Sequence, residues 1–143
     1  MTAQEARLAV DSAPEIISIE AEGVQYWATG DPPPTEVMEI GCLLPPFDEY
    51  LLGYKERSLA LDTAHAKRVN AGGGMPKPTV MVNGNILGVW SYKTRKQESA
   101  VSIRPFGDLG SRERDLIDRA VSQLGRFKFL PVNVSFATFG KAV

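Results

Sequence analysis

The chain reads as an α+β protein in two unlike parts: a helix with a β-hairpin, then an antiparallel sheet carrying one amphipathic helix. Three observations predict this. Near the N-terminus a capped helical segment runs straight into two runs of β-branched and aromatic residues. A Gly-Asp-Pro-Pro-Pro stretch then breaks the chain. Beyond it, alternating β runs surround an Asn-Gly turn and lead into one long amphipathic segment. With 143 residues, 43% hydrophobic and 23% charged, the sequence has the balance of a globular domain that can bury a core.

Thr2-Ala3-Gln4-Glu5 matches a capping box, threonine at the N-cap and glutamate at N3. Ala6, Ala9, Val10 and Ala13 follow at helical spacing, and Pro14 ends the helix. Its apolar face is mostly alanine and offers little to bury. Residues 16–20 and 24–28 read as two strands joined through Gly23, which supplies the positive φ of a tight turn. A helix followed at once by such a hairpin is the second half of a winged-helix unit, so residues 1–30 are expected to be the end of one. Residues 31–40, beginning Asp31-Pro32-Pro33-Pro34, form a stiff extended linker, and residues 41–143 form the second domain.

That domain opens with Leu43-Leu44-Pro45-Pro46-Phe47-Asp48-Glu49-Tyr50-Leu51-Leu52, dense in apolar residues but interrupted by prolines. Asp48 is placed to cap a short turn over Glu49–Leu52. Residues 58–70 carry helical patterning, and 71–78 form a glycine- and proline-rich loop. Thr79–Val82 is a strand, Asn83-Gly84 a hairpin turn, and Asn85–Tyr92 the returning strand. A second hairpin is expected to turn near Thr94–Gln97, with Lys93 to Gln97 projecting, and to continue through Val101–Arg104. Ser111 then caps a helix whose apolar face is Leu116, Ile117, Ala120, Val121 and Leu124, ended between Gly125 and Pro131. Residues 132–136 are a closing strand.

Net charge is −1, but its distribution is uneven. Residues 1–42 hold one base against eight acids, a net of −7, while the remaining fifteen bases and nine acids leave +6. The second part can attract a polyanion, or the two parts can neutralise each other. Between Lys55 and Arg104 nine bases face three acids, with Tyr54, Trp90 and Tyr92 interleaved. Lys93, Arg95 and Lys96 cluster at the predicted hairpin tip, where side chains reach furthest outward. Together with Lys55, Arg57, Lys67 and Arg68 they are the candidate DNA-binding residues. The competing reading of the tip is an ordinary solvated turn whose charges protect a sheet edge.

Catalytic and metal chemistry find little support. One cysteine, Cys42, excludes an internal disulfide and a cysteine-cluster metal site, and one histidine, His65, leaves little for zinc or a histidine relay. No cofactor is expected. Asp48-Glu49 is a carboxylate pair in an apolar setting, where burial raises a pKa toward general-acid chemistry. The favoured alternative has Asp48 capping its turn and Glu49 pairing with Lys55 or Arg57. Gly72-Gly73-Gly74 lacks the Gly-Lys-Ser/Thr ending of a phosphate loop and leads into a strand. No apolar run is long enough to span a membrane, and the N-terminus lacks a secretory apolar core, so a cytoplasmic, nucleoid-associated location is expected.

The run from Leu43 through Phe47, Asp48, Glu49, Tyr50, Gly53 and Tyr54 to Ser58 resembles a bacterial winged-helix DNA-binding family that includes the crosslink-unhooking DNA glycosylases. His65 with Arg68, the Gly72–Gly74 loop, Pro78-Thr79-Val80, Asn83-Gly84, Gly88-Val89-Trp90 and Pro105-Phe106 agree in order. The resemblance implies a larger parent of tandem winged helices closed by a C-terminal β-barrel, with duplex DNA in a basic concave channel. Residues 41–143 would be barrel-like. It also implies that the glycosylase members act through a Gln-x-Gln or Gln-x-Asp motif. Gln4, Gln25, Gln97 and Gln123 stand isolated, so no catalytic residue carries over.

The expected function is therefore a DNA-binding C-terminal module of a repair family, non-catalytic alone. Its expected partners are duplex DNA and a separate chain supplying the missing winged helices, with no membrane. Two other classes stay open: an enzyme with a site around Asp48, Glu49 and His65, and an interaction domain using the acidic first third.

Overall fold

The structure is a computed structural model that describes residues 1–21, 23–30, 39–70, 72, 74–95 and 98–139, in two compact units, Met1–Glu36 and Val37–Val143. In the first unit, helix α1 spans Ala3–Asp11. Its capping box forms as expected: the Thr2 hydroxyl accepts from the Glu5 amide at 3.3 Å, and the Thr2 amide donates to the Glu5 carboxylate at 2.7 Å. Strands β1 (Ile16–Ala21) and β2 (Val24–Thr29) pair antiparallel from Ile16↔Thr29 to Ala21↔Val24, and Gly23 takes φ 75° at the turn. No residue of α1 is buried, and Trp27 on β2 remains 52% exposed. A unit this small buries too little apolar surface to hold itself together. Residues 31–38 of the expected linker lie outside the described residues.

The second unit is built on one five-stranded sheet, β3 (Gly41–Leu44), β4 (Thr79–Val82), β5 (Asn85–Arg95), β6 (Glu98–Pro105) and β7 (Val132–Phe136), in that spatial order. Asn83 (φ 50°) and Gly84 (φ 86°) form the predicted β4–β5 turn, both with the positive φ of a primed turn. Asn83 also ties down the entry to β3, donating to the Ile40 carbonyl at 2.9 Å and accepting from its amide at 3.0 Å. The β4–β5 register slips between Val80 and Met81, so Val80 pairs with Gly88 and Met81 with Ile86. This bulge turns Leu87 to the opposite side from Ile86 and Val89.

Helix α4 (Ser111–Lys128) lies on one face of the sheet. Leu116, Ile117, Ala120 and Val121 are its buried residues, as its periodicity predicts. They pack with Val80 and Val82 of β4 and Val101 and Ile103 of β6. The opposite face carries helix α2 (Glu49–Leu52), a 3₁₀ turn (Thr63–His65) and helix α3 (Ala66–Val69). These bury Leu51, Leu61 and Val69 against Met81, Ile86 and Val89.

Several expectations are corrected. The closing strand β7 runs parallel to β6, not antiparallel, because α4 carries the chain back along the sheet before β7 begins. Among the described residues the sheet is open rather than closed as a barrel: β3 and β7 are its edges, and α4 packs on both. The helix predicted across residues 58–70 is a 3₁₀ turn and one α-turn, since Asp62 caps midway by accepting from the Ala64 amide at 2.8 Å. Just before it, the Ala60 carbonyl accepts from the Ile86 amide at 2.7 Å and fastens the loop to β5. Strand β5 extends through Arg95, so Lys93 pairs with Ala100 inside the sheet and does not project from a tip.

At α4 the N-cap is Gly110, not Ser111; its amide donates to the Glu113 carboxylate at 2.7 Å. The helix passes through Gly125 and ends before Pro131, between the two residues expected to bracket its end. Gly125 sits in a tight spot: a Cβ would come within 3.2 Å of Val132 Cγ2. The end falls at Phe129, left-handed at φ 54°, where the Phe129 amide reaches the Arg126 carbonyl and the Leu130 amide the Gly125 carbonyl. A phenylalanine in this conformation is strained, and its ring is 94% exposed. Phe129→Gly should therefore raise stability by about 0.5–1 kcal/mol in chemical denaturation; an unchanged or lowered midpoint would mean that the ring's contacts outweigh the strain.

Candidate nucleic-acid interface

The helices on the α2–α3 side cover the sheet only as far as Val89 on β5. Beyond it, one sheet face lies uncovered. Antiparallel and parallel registers both put like-facing residues side by side: Ser91 beside Ser102 and Ser135, and Lys93 beside Ala100 and Asn133. Arg104 sits opposite Val89 on the same face. Ser91, Lys93, Ala100, Arg104, Asn133 and Ser135 are exposed, and Ser102 is half-buried. A shallow cleft of about 420 Å³ runs over this floor from Lys93 to Arg104, Ala137 and Thr138. The floor residues are small, so a polyanionic backbone can approach closely between the cationic side chains.

A second cleft, about 490 Å³, shares Ala137 and Thr138 and continues the first. Arg68 of α3 and Arg114 of α4 line it together with Phe106, Phe136 and Phe139. The Arg68 guanidinium stands 5.0 Å from the Phe139 ring centre and donates to the Phe106 carbonyl at 3.1 Å. Arg104 stands 5.7 Å from Phe139, and Arg114 5.1 Å from Phe136. The only ion pair among the described residues joins Arg112 and Glu39, so these guanidinium groups carry their charge without a carboxylate partner among them.

Of the sequence-predicted DNA-binding residues, Lys93 and Arg68 thus line this continuous pair of clefts. Strand β5 carries Arg95 at its end, paired with Glu98. Lys96 lies outside the described residues. Lys55, Arg57 and Lys67 line neither cleft. Arg57 instead donates through Nε to the Tyr54 carbonyl at 2.9 Å, bracing the loop after α2. Sequence reasoning missed Arg114, Phe136 and Phe139, which are distant in the chain and meet only because the α4 crossover brings β7 beside β6.

On the α4 face of the same hairpin, the Tyr92 hydroxyl shares a 2.7 Å hydrogen bond with the buried Ser99 hydroxyl. The Lys128 ammonium stands 5.9 Å from its ring. Hydrogen bonds from Ser99 and Thr94 draw the phenol below its usual range, helped by Lys128.

The Phe47–Tyr54 motif does structural work. Asp48 caps α2, accepting from the Tyr50 amide at 2.9 Å. The Tyr50 hydroxyl donates to the Gly84 carbonyl at 2.6 Å, bolting α2 to the β4–β5 turn, and desolvation of its phenol raises its pKa. Phe47 takes a positive φ of 64° immediately before the cap. The Gly53 amide closes the helix on the Glu49 carbonyl at 2.7 Å, where a Cβ would clash with that carbonyl at 2.8 Å. Glu49 is exposed and, among the described residues, makes no ion pair with Lys55 or Arg57, contrary to the expected pairing. Tyr54 is exposed. His65 stacks on Phe106 at 4.6 Å between ring centres and lines a cleft that neither Asp48 nor Glu49 borders. These three residues therefore share no site. Among the described residues no cluster of three or more His, Cys, Asp or Glu is placed to hold a metal. No helix among them is long and apolar enough to cross a membrane.

Comparison with known proteins shows the family to which this fold belongs. The model of the family described as "DNA glycosylase AlkZ-like" matches residues 1–127, and the chain belongs to that family. Among solved structures it is similar to the DNA glycosylase AlkZ of Streptomyces sahachiroi, with a TM-score of 0.66 and 23% identity. The match covers 94% of this chain but 38% of that one, so the chain spans less than two fifths of the length of that protein. At this identity the likeness shows a shared fold. No curated protein matches the chain.

Proposed function

We propose that this chain is a duplex-DNA-binding module of the AlkZ-like repair family, non-catalytic on its own. In this reading Met1–Glu36 is the end of a winged-helix unit, and the remaining winged helices come from further sequence or a separate chain. The cytoplasmic nucleoid is its place of work. The observation that carries the reading is the uncovered face of β5, β6 and β7, where Lys93 and Arg104 flank a floor of serine and alanine and Arg68 continues the positive charge. The contacts expected there are to phosphates, which position a duplex without reading its sequence. Arg95 and Lys96, close to Lys93 in the sequence, are expected to add further contacts to phosphates or a groove.

Fluorescence anisotropy with a labelled duplex tests this. Binding should be independent of sequence and should weaken linearly in log–log form as salt rises, because neutralised phosphates release counterions. Absence of binding at low salt would remove the reading. The catalytic half of the proposal has its own test. The purified chain should release no alkylated base and unhook no crosslink, since Gln4, Gln25, Gln97 and Gln123 form no paired glutamine motif. Dose-dependent release abolished by Asp48→Asn or Glu49→Gln would instead establish an enzyme.

A further inference from the structure

We propose that the cleft between Arg68 and Arg114 is a binding site for a single unstacked nucleotide, its phosphate held by the two guanidinium groups and its base resting on the phenylalanine rings. The cleft's volume of about 490 Å³ falls within the ~300–1,000 Å³ typical of small-ligand sites. Its lining pairs two kinds of group that nucleotides require together. Arg68 and Arg114 lie 5.0 and 5.1 Å from Phe139 and Phe136, and packing of this kind fixes the direction of a guanidinium fork. Each is also steadied by a backbone carbonyl: Arg68 Nη1 donates to Phe106 and Arg114 Nε to Leu109. The remaining N–H groups of each planar guanidinium are left for a bidentate acceptor such as phosphate.

The aromatic component distinguishes a nucleotide from a bare anion. Phe106, Phe136 and Phe139 converge on one small cleft, and base–aromatic stacking tolerates any base. Gly107 also lines the cleft, and a Cβ there would meet nothing within 4 Å, so the backbone is open to a ligand. Asp108 is the one acidic residue of the lining; it disfavours a second phosphate and can accept from an exocyclic base amine. A single phosphate with a base fits this balance better than a polyphosphate. An acidic peptide would satisfy the arginines but bring no aromatic base to the cleft.

Two sources share this chemistry: a free mononucleotide and an unpaired nucleotide of DNA. Only the second rests on the DNA-binding reading. The test is isothermal titration of the whole chain with deoxyadenosine monophosphate, with deoxyadenosine and inorganic phosphate as its two halves and a glutamate hexapeptide as competitor. The monophosphate should bind at least about tenfold more tightly than either half, with amide shifts at Gly107, Asp108 and Thr138 in NMR. Arg114→Gln, at an exposed position, should weaken it about tenfold. Arg68→Lys, which keeps the charge and loses the fork, should weaken it several-fold. A duplex with a single-stranded overhang binding more tightly than a blunt one would place the nucleotide in DNA; equal binding would make the ligand a free nucleotide. Phosphate binding as tightly as the monophosphate, displacement by the peptide, or shifts elsewhere in the protein would overturn the site. Because the mononucleotide titration uses no duplex, failure of duplex binding and failure of this cleft are separate results.

Discussion

Alanine at Lys93, Arg95 and Lys96 together is expected to weaken duplex binding about ten- to a hundredfold at low salt and to reduce the log–log salt slope by about two to three. Each lost phosphate contact removes about 0.9 from the slope, so the slope counts contacts directly. Stability is expected to change by less than about 0.5 kcal/mol, because the backbone pairing of Lys93 with Ala100 and of Arg95 with Glu98 does not depend on these side chains. Three bases within four residues repel one another, so folding supplies no reason for the cluster. Edge protection is the competing reading, because β4 pairs with β5 only up to Val89 and, among the described residues, Lys93 to Arg95 pair with β6 alone. A folded triple variant with wild-type affinity and slope would show that the hairpin does not touch DNA.

Ile103→Ala is expected to cost about 2–5 kcal/mol. Ile103 is 0% exposed, sits opposite Trp90 on β5 and beside Phe136 on β7, and packs in the cluster formed with Leu116, Ile117 and Val121 of α4. No neighbour can close the space without pulling the sheet and helix out of register, so most of the cavity stays open. For a domain of this size the midpoint of thermal unfolding should fall by about 10 °C or more. Urea denaturation should show a lower midpoint at an unchanged slope. Val134→Ala, on the partly exposed edge strand β7, should cost far less. Equal effects at the two positions would contradict the placement of the core.

The elements governed by local chemistry were legible in the sequence. The capping box at Thr2, the Asp48 cap, the Asn83-Gly84 turn and the apolar face of α4 each depend on residues a few positions apart. What was not legible depends on distant partners. The parallel pairing of β7 with β6 follows from where α4 delivers the chain, which spacing alone does not reveal. Residues 58–70 carry helical periodicity, yet Asp62 and the Ala60–Ile86 bond divide them.

The candidate site follows the same division. Lys93 and Arg68 stood out as charges in a basic stretch, and the Phe47–Tyr54 motif stood out by resemblance. The motif's visible work is structural, through the Tyr50–Gly84 bond and the Asp48 cap. The aromatic lining from Phe136 and Phe139 gave no sequence signal, because only the β6–α4–β7 crossover brings those rings to Arg68 and Arg114.

The most direct test of the central claim, that DNA lies on the uncovered face of β5, β6 and β7, is an amide-resolved NMR titration of the chain with a short duplex. The amides of Ser91, Lys93, Ser102, Arg104 and Ser135 should shift together and saturate at one affinity, and added salt should reverse the shifts. Those of Asp115, Asp118 and Ser122, exposed on α4, should remain in place. Shifts centred on α4 with the sheet face unmoved would contradict the account.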